Sequence, residues 1–374
     1  MKMNDQIEFV KLGPILERDC HYSVMFGTRS DGKTYAVLEY AWKKFLEDGS
    51  TLALIRRWDE DFVGANSARN CYNSLMNNAF GKNIIREYSN NVYVGVEYYG
   101  GKYYLQTEDE DGKVHRTDKV VAYGLSLNSA EHYKSASFPD VRTVLFDEFI
   151  ATKIYLQSEF VLFCNLLSTI IRVRDDVKIF LCGNTINKYN PYFSEMGLYK
   201  AKDMRPGEID VYQYGESGLK VCCYYTDGQK KNKKKSNVYF AFDNPRLQMI
   251  TTGAWELDLY PHLTSEMKYR PKDVLLSYFI RFDEQMFQAE VIVLNGSAFT
   301  YVHRKTGEIK YPDKDIVFDP DGDDYRVNHR RQINRDVLPW VKRLWRFYVE
   351  DKVYYQDNEV GNTISAYLSL GQKV

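Results

Sequence analysis

The chain has 374 residues, 44% hydrophobic and 27% charged, which is enough apolar content for a buried core and excludes a disordered chain. With 50 Lys and Arg against 51 Asp and Glu, net charge points to no nucleic-acid partner, and such a partner needs a local basic patch. Six cysteines without a C-x-x-C pair or histidines at ligand spacing argue against zinc, and with no signal pattern and no apolar run near about 18 residues they predict an intracellular protein outside the membrane.

In chain order, residues 22–26 (YSVMF) read as a short buried strand and 33–46 (KTYAVLEYAWKKFL) as a helix. Ala36, Val37, Tyr40, Ala41 and Phe45 fall on one face of that helix. Residues 51–58 (TLALIRRW) form a strand ending in two arginines, and 59–90 read as polar helix. VYVGVEYY and KYYLQT make a hairpin around Gly100-Gly101. After a charged turn come VVAYGLSL, a strand at 141–146, a Leu- and Phe-rich helix across 155–173 and a strand at 177–182. Strands alternating with helices, with near-continuous apolar runs, predict an α/β fold on a parallel sheet covered on both faces.

That alternation ends near residue 200. The chain therefore divides into a domain over 1–199, a lid or linker over 200–270 and a smaller α/β domain over 271–374. The last opens with the strands LLSYFIRF, FQAEVIVLNG and SAFTYVHR and closes with helices at 335–350 and 360–370.

Between the first strand and helix stands Gly27-x-x-x-x-Gly32-Lys33-Thr34, the spacing of a phosphate-cradling loop. Its glycines permit turns and close approach that side chains block, and its N–H groups with the helix N-terminus form an anion nest. Lys33 reaches the β- and γ-phosphates, and the Thr34 hydroxyl ligates Mg²⁺. Arg29 joins the nucleotide site, while Asp31 turns its carboxylate away from phosphate and pairs with Arg29. The second half of the site is VRTVLFDEF, where an apolar strand runs into Asp147 and Glu148. Carboxylates at the end of a buried parallel strand sit where α/β sheets bind ligands. Asp147 holds Mg²⁺ through water and Glu148 polarises the attacking water. The two motifs together read as an ATPase using ATP and Mg²⁺. Asn184, ending the next strand, is either a sensor of the γ-phosphate or a turn residue. Arg172 and Arg174 end the preceding helix, as an arginine finger for a neighbouring subunit or as partners of the helix C-terminus.

FGTRSDGKTYA, LIRRW, VRTVLFDEFI, LLSTIIRVRDDVKIFLCGN and NPYF, in that order across residues 20–195, resemble the DNA-packaging (encapsidation) ATPases of φ29-like podoviruses. The resemblance implies an additional-strand (ASCE) P-loop fold and a C-terminal RNase H-like domain, related to terminase nucleases but without their activity. It also implies a homopentameric ring on the procapsid portal in the host cytoplasm, translocating double-stranded DNA, with a packaging RNA in some relatives. On this resemblance Lys33 and Thr34 match the Walker-A pair and Asp147 and Glu148 the Walker-B pair. Arg172 falls on the trans-acting finger, with Arg174 two residues beyond, and Asn184 on the polar sensor. Ser30 and Asp31 depart from the family, standing where relatives carry a third glycine and an apolar residue.

For a grip on DNA the best local feature is QKKNKKKSN, in which Lys230, Lys231, Lys233, Lys234 and Lys235 supply sequence-independent phosphate contacts or merely solvate a loop. FDPDGDD lacks the D-x-D-x-D-G spacing of a calcium loop. Asp283, Glu284 and Glu290 leave a working nuclease open as an alternative, and a non-motor, nucleotide-gated binding protein is the other. RVNHRRQINR, followed by Trp340 and Trp345, is a second basic and aromatic patch.

Overall fold

The computed structural model describes residues 9–64, 68–78, 81–151, 155–156, 158–185, 190–215, 218–227 and 260–370. The chain folds into two compact units that meet in sequence at Glu256 and Leu257.

The first unit contains β1 (Tyr22–Gly27), β2 (Thr51–Arg56), β3 (Gly95–Tyr99), β4 (Lys102–Glu108), β5 (Val114–Ser126), β6 (Val141–Asp147), β7 (Lys178–Asn184), β8 (Ile209–Tyr214) and β9 (Leu219–Tyr225). Its helices are α1 (Gly13–Leu16), α2 (Lys33–Asp48), α3 (Asn73–Met76), α4 (Ile84–Tyr88), α5 (Glu159–Ile171) and α6 (Pro191–Glu195). The strands form one sheet in the order β3-β4-β5-β2-β6-β7-β1-β9-β8. From β5 to β9 every neighbouring pair is parallel, and antiparallel strands flank this core on both edges. β7 lies between β1 and β6, which is the additional strand of an ASCE fold.

Alternation along each strand sends successive side chains to opposite faces. Leu52, Leu54, Met25, Leu145 and Phe180 meet Val37, Leu38, Ala41 and Trp42 of α2 in one core. On the other face Phe146 packs on Phe163 of α5 at 5.3 Å between ring centroids, and Phe26 on Phe193 of α6 at the same spacing. Apolar runs that are buried on both faces are what a parallel sheet requires, so the expectation of such a sheet holds.

Two expectations need correction. Among the described residues of 59–90 there are a 3-10 turn (Asp59–Phe62) and the short helices α3 and α4, because Asn77, Asn78, Gly81, Asn90 and Asn91 interrupt any longer helical period. The segment 200–270 is not a separate linker throughout. β8 and β9 complete the first sheet, with β9 parallel to β1 and Cys222 and Cys223 buried.

The second unit contains β10 (Val274–Phe282), β11 (Gln285–Leu294), β12 (Ser297–Arg304), β13 (Ile316–Phe318), β14 (His329–Arg330), β15 (Val353–Tyr355), α7 (Pro339–Val349) and α8 (Asn358–Ser369). β10, β11 and β12 form an antiparallel meander whose two-residue turns, Asp283-Glu284 and Asn295-Gly296, all have positive φ (52°, 59°, 51° and 77°) as a type I′ turn demands. β13 and β14 extend it in parallel beyond β10, and β15 does so beyond β12. Val341, Leu344, Val360, Ile364 and Tyr367 from the two helices pack on Tyr278, Ile280, Phe287 and Val302 of the sheet. The second unit is thus an α/β arrangement, a meander extended by parallel strands and packed against helices.

Candidate functional site

The parallel strands of the first unit end on one edge, and the chemistry-bearing residues collect there. Pairing of Ile55 with Phe146 places Arg56 of β2 beside Asp147 of β6. Pairing of Gly27 with Asn184 places that half-buried asparagine opposite the start of the loop.

The loop from Gly27 to α2 needs its glycines for reasons visible in the packing. A Cβ on Gly27 would lie 1.9 Å from Thr226 Oγ1 and 2.9 Å from its carbonyl oxygen. Gly32 is the N-cap of α2 with φ 88°, and a Cβ there would strike the Phe9 ring at 2.5 Å. Lys33 opens the helix with only 5% of its surface exposed. Its Nζ donates to Thr28 O at 2.8 Å and pairs with Asp31 Oδ1 at 2.8 Å.

That ion pair corrects the expectation for Asp31. Its carboxylate does not turn outward to Arg29, which is exposed. It is 3% exposed, faces Lys33 and accepts a hydrogen bond from Thr226 Oγ1. Thr226 follows β9, so the strand that completes the sheet also forms one wall of the loop.

The two motifs meet through Thr34, whose Oγ1 donates to Asp147 Oδ1 at 2.7 Å across 113 residues of sequence. Glu148, with φ 59°, turns the chain sharply after β6 and leaves its side chain 57% exposed. Arg56 bridges the carboxylates, with Nη1 2.9 Å from Asp147 Oδ2, Nη2 2.6 Å from Glu148 Oε2 and Nε 3.4 Å from Asp61 Oδ2. Burial works against the charge on Arg56, but Asp147, Glu148 and Asp61 outweigh it and raise the guanidinium's pKa above its ordinary value.

Arg57 lies beneath this layer. It pairs with Glu159, Nε and Nη2 each 2.8 Å from a different carboxylate oxygen. It also donates to the backbone carbonyls of Glu148 at 3.1 Å and Phe149 at 2.7 Å. Glu159 is fully buried and further accepts from Tyr192 Oη at 2.8 Å and Leu156 N at 2.7 Å. Motif reasoning singles out neither arginine. Their signal is adjacency at the end of a buried run, in LIRRW, a stretch that also carries the family resemblance without assigning either arginine a role.

The two candidate fingers separate. Arg174 donates to the carbonyls of Ile171, Pro139, Val141, Phe138 and Ile170, so its fork is spent holding the α5–β7 turn to the 138–141 segment. This weighs against Arg174 as a finger, since reaching a neighbouring subunit would cost these hydrogen bonds, although Arg142 Nη1 also serves Pro139 O and Val141 O and backbone N–H groups serve Phe138 O and Ile171 O. Arg172 is exposed, with φ 54°, its guanidinium donating to Ala136 O at 2.9 Å and its backbone N–H to Ser168 O at 3.0 Å. α5 leads away from the carboxylate edge, and its 13 residues span about 20 Å. Arg172 thus lies at the far edge of the sheet from its own loop.

Lys230, Lys231, Lys233, Lys234 and Lys235 lie outside the described residues. In the second unit Asp324 is tied to Arg326, which pulls its pKa down to about 2, and Asp319 stands 3.6 Å from Arg281. Glu290 accepts from Tyr269 Oη at 2.6 Å, while Asp283 and Glu284 form the β10–β11 turn. Among the described residues no group of three or more His, Cys, Asp or Glu side chains is arranged to hold a metal. No helix among them is long and apolar enough to cross a membrane.

Comparison with known proteins gives a consistent result. The family model described as "Podovirus DNA encapsidation protein (Gp16)" matches residues 5–213, more than half of the chain. The DNA packaging proteins of Bacillus phages PZA and phi29 are each 26% identical over 192 residues, 50% of this chain and 50% of theirs. That of Bacillus phage B103 is 25% identical over 187 residues, 49% and 50%. The chain therefore spans about half the length of the curated relatives it matches. The fold resembles the solved Phi-28 gp11 DNA packaging motor (TM-score 0.53, 19% identity, 99% of both chains). It also resembles the bacteriophage Phi-29 viral genome packaging motor assembly (TM-score 0.51, 18% identity, 95% of this chain and 96% of that one). On its sequence match and its fold, the chain belongs to the podovirus DNA encapsidation protein (Gp16) family.

Proposed function

We propose that this chain is the ATPase subunit of a phage packaging motor, hydrolysing ATP to drive double-stranded DNA through the portal into the procapsid in the host cytoplasm. The observation that carries this reading is the 2.7 Å hydrogen bond from Thr34 to Asp147. It joins a glycine-bounded loop at a helix N-terminus to a carboxylate strand and sets Glu148 beside both. The loop N–H groups, the N-terminus of α2 and Lys33 supply the positive field that ATP phosphates need. Gly27, Arg29 and Gly32 shape and flank that cradle.

Thr34 Oγ1 and Asp147 Oδ1 are adjacent hard oxygen donors, the set that Mg²⁺ takes beside phosphate oxygens and water. Bound there, Mg²⁺ would neutralise charge on the transferred phosphoryl group. Glu148, half-exposed at the strand end, orients the attacking water and takes up its proton. Asn184, across from Gly27, is placed to hydrogen-bond the γ-phosphate or that water.

Arg172 acts in trans, because it lies a helix length from its own loop. A finger supplied in trans requires a neighbouring subunit, and we take the assembly to be a homopentameric ring on the portal. The lysines of 230–235 grip the DNA backbone without reading sequence. The smaller domain, which we place over 271–374, contacts DNA or portal, and a packaging RNA serves where a relative uses one.

The test is ATP binding and turnover by the purified chain with and without double-stranded DNA. Lys33→Ala loses binding. Glu148→Gln keeps binding and loses turnover by about 10²–10⁴-fold, the size of a general-base contribution. Turnover at the wild-type rate in either variant contradicts the assignment.

A further inference from the structure

We propose that Asp31 is a positioning residue of the phosphate site, an internal anion that holds Lys33 and yields it to the phosphates of ATP. The inference rests on the nucleotide reading above.

Asp31 is a carboxylate almost wholly removed from water, at 3% exposure, between an exposed Ser30 and the helix N-cap Gly32. Its Oδ1 lies 2.8 Å from Lys33 Nζ and 3.4 Å from the Lys33 backbone nitrogen, and its Oδ2 accepts from Thr226. These are an ammonium, a backbone N–H at a helix N-terminus and a hydroxyl, the donors a phosphate oxygen also takes. The side chain thus copies the ligand's chemistry inside the loop.

An ammonium has three donors, and Asp31 and Thr28 O use two of them on Lys33. A phosphate taking the third brings its oxygens against a buried carboxylate, and like charges in a low-dielectric site repel strongly. A phosphate taking the place of Asp31 must first break the ion pair. On both routes the charge at residue 31 opposes nucleotide binding. The same charge also keeps a buried Lys33 compensated before the phosphate arrives. Asp31 therefore sets affinity and acts through Lys33, while the reacting atoms lie at Thr34, Asp147 and Glu148. Thr226 steadies the carboxylate in that position, so the residue after β9 tunes the loop.

The experiment compares wild type, Asp31→Asn, Asp31→Glu and Thr226→Ala as full chains, measuring Kd for ATP, KM, kcat and melting temperature. Asp31→Asn keeps shape and loses charge, so Kd and KM fall about tenfold or more, within the range from about fivefold in bulk water to about a thousandfold at an effective dielectric of about 20 for one close charge pair. The change falls on Kd and KM more than on kcat, because a charge that acts equally on bound ATP and on the transition state changes binding alone. Asp31→Glu keeps the charge and shows no such gain in affinity, and Thr226→Ala shifts Kd downward by a smaller factor. A purely structural Asp31 would lower kcat and melting temperature with no gain in affinity. Wild type and Asp31→Asn binding ATP equally would overturn the proposal. If Asp31→Asn does not fold, an unchanged Kd in Thr226→Ala overturns it. No ATP binding by any of the four would instead overturn the nucleotide reading beneath it.

Discussion

Replacing Arg57 by leucine removes one partner of a fully enclosed ion pair. Glu159 would keep its hydrogen bonds from Tyr192 and Leu156 but lose both charged donors, and the carbonyls of Glu148 and Phe149 would lose theirs. Stranding a buried charge in this way costs about 3–5 kcal/mol. At about 2–4 °C per kcal/mol for a unit of this size, the first melting transition falls by about 6–20 °C. The carbonyls matter separately, because Arg57 clamps the peptide at which Glu148 adopts its φ of 59°. Turnover should therefore fall even below the melting transition. The double variant Arg57→Leu, Glu159→Leu should melt above Arg57→Leu, since an apolar pair of similar volume removes the stranded charge. It should not recover turnover, because the clamp on residues 148–149 stays absent. Calorimetry and ATP turnover measured on all three variants test both statements. An Arg57→Leu protein that melts within about 2 °C of wild type and turns over normally would refute the reasoning.

If Arg172 is the trans finger proposed above, Arg172→Ala should leave folding intact and poison turnover in mixed rings; normal turnover in a homogeneous variant ring would remove the finger from Arg172. Arg174→Ala should lower stability by about 1 kcal/mol, the scale of a lost hydrogen bond whose acceptor keeps another donor, read as a loss of melting temperature. Neutralising Lys230, Lys231, Lys233, Lys234 and Lys235 together should weaken DNA binding and flatten its salt dependence by up to about 0.9 in log–log slope for each phosphate no longer neutralised. An unchanged slope would assign those lysines to solvent.

The loop and the carboxylate strand are legible in the sequence because each is local. An apolar run, a glycine-bounded turn and a helical period occupy consecutive residues, and a second run ends directly in Asp147-Glu148. The parallel sheet follows from apolar runs too continuous for a one-sided strand. Arg56 and Arg57 are visible as residues but not as parts of the site. Apart from Asp61, their carboxylate partners lie 91 to 102 residues away, set by the β2–β6 register and by the start of α5, which no local pattern states. Asp31 escapes local reading for a related reason. Its neighbour Arg29 is the obvious partner, whereas the enclosing wall comes from Thr226, 195 residues later. β8 and β9 pass for linker because the lysine run just beyond them dominates the local composition. The 59–90 segment fails as a helix because its asparagines and Gly81 favour turns over any polar periodicity.

The central claim is that ATP hydrolysed at Lys33, Thr34, Asp147 and Glu148 moves DNA. Its most direct test measures nuclease-protected DNA in cognate procapsids supplied with wild-type or Glu148→Gln chain and ATP. The account predicts protection that grows with time and ATP for wild type, and none for Glu148→Gln although it still binds nucleotide. Equal protection with both chains, or none with wild type while it hydrolyses ATP, would contradict it.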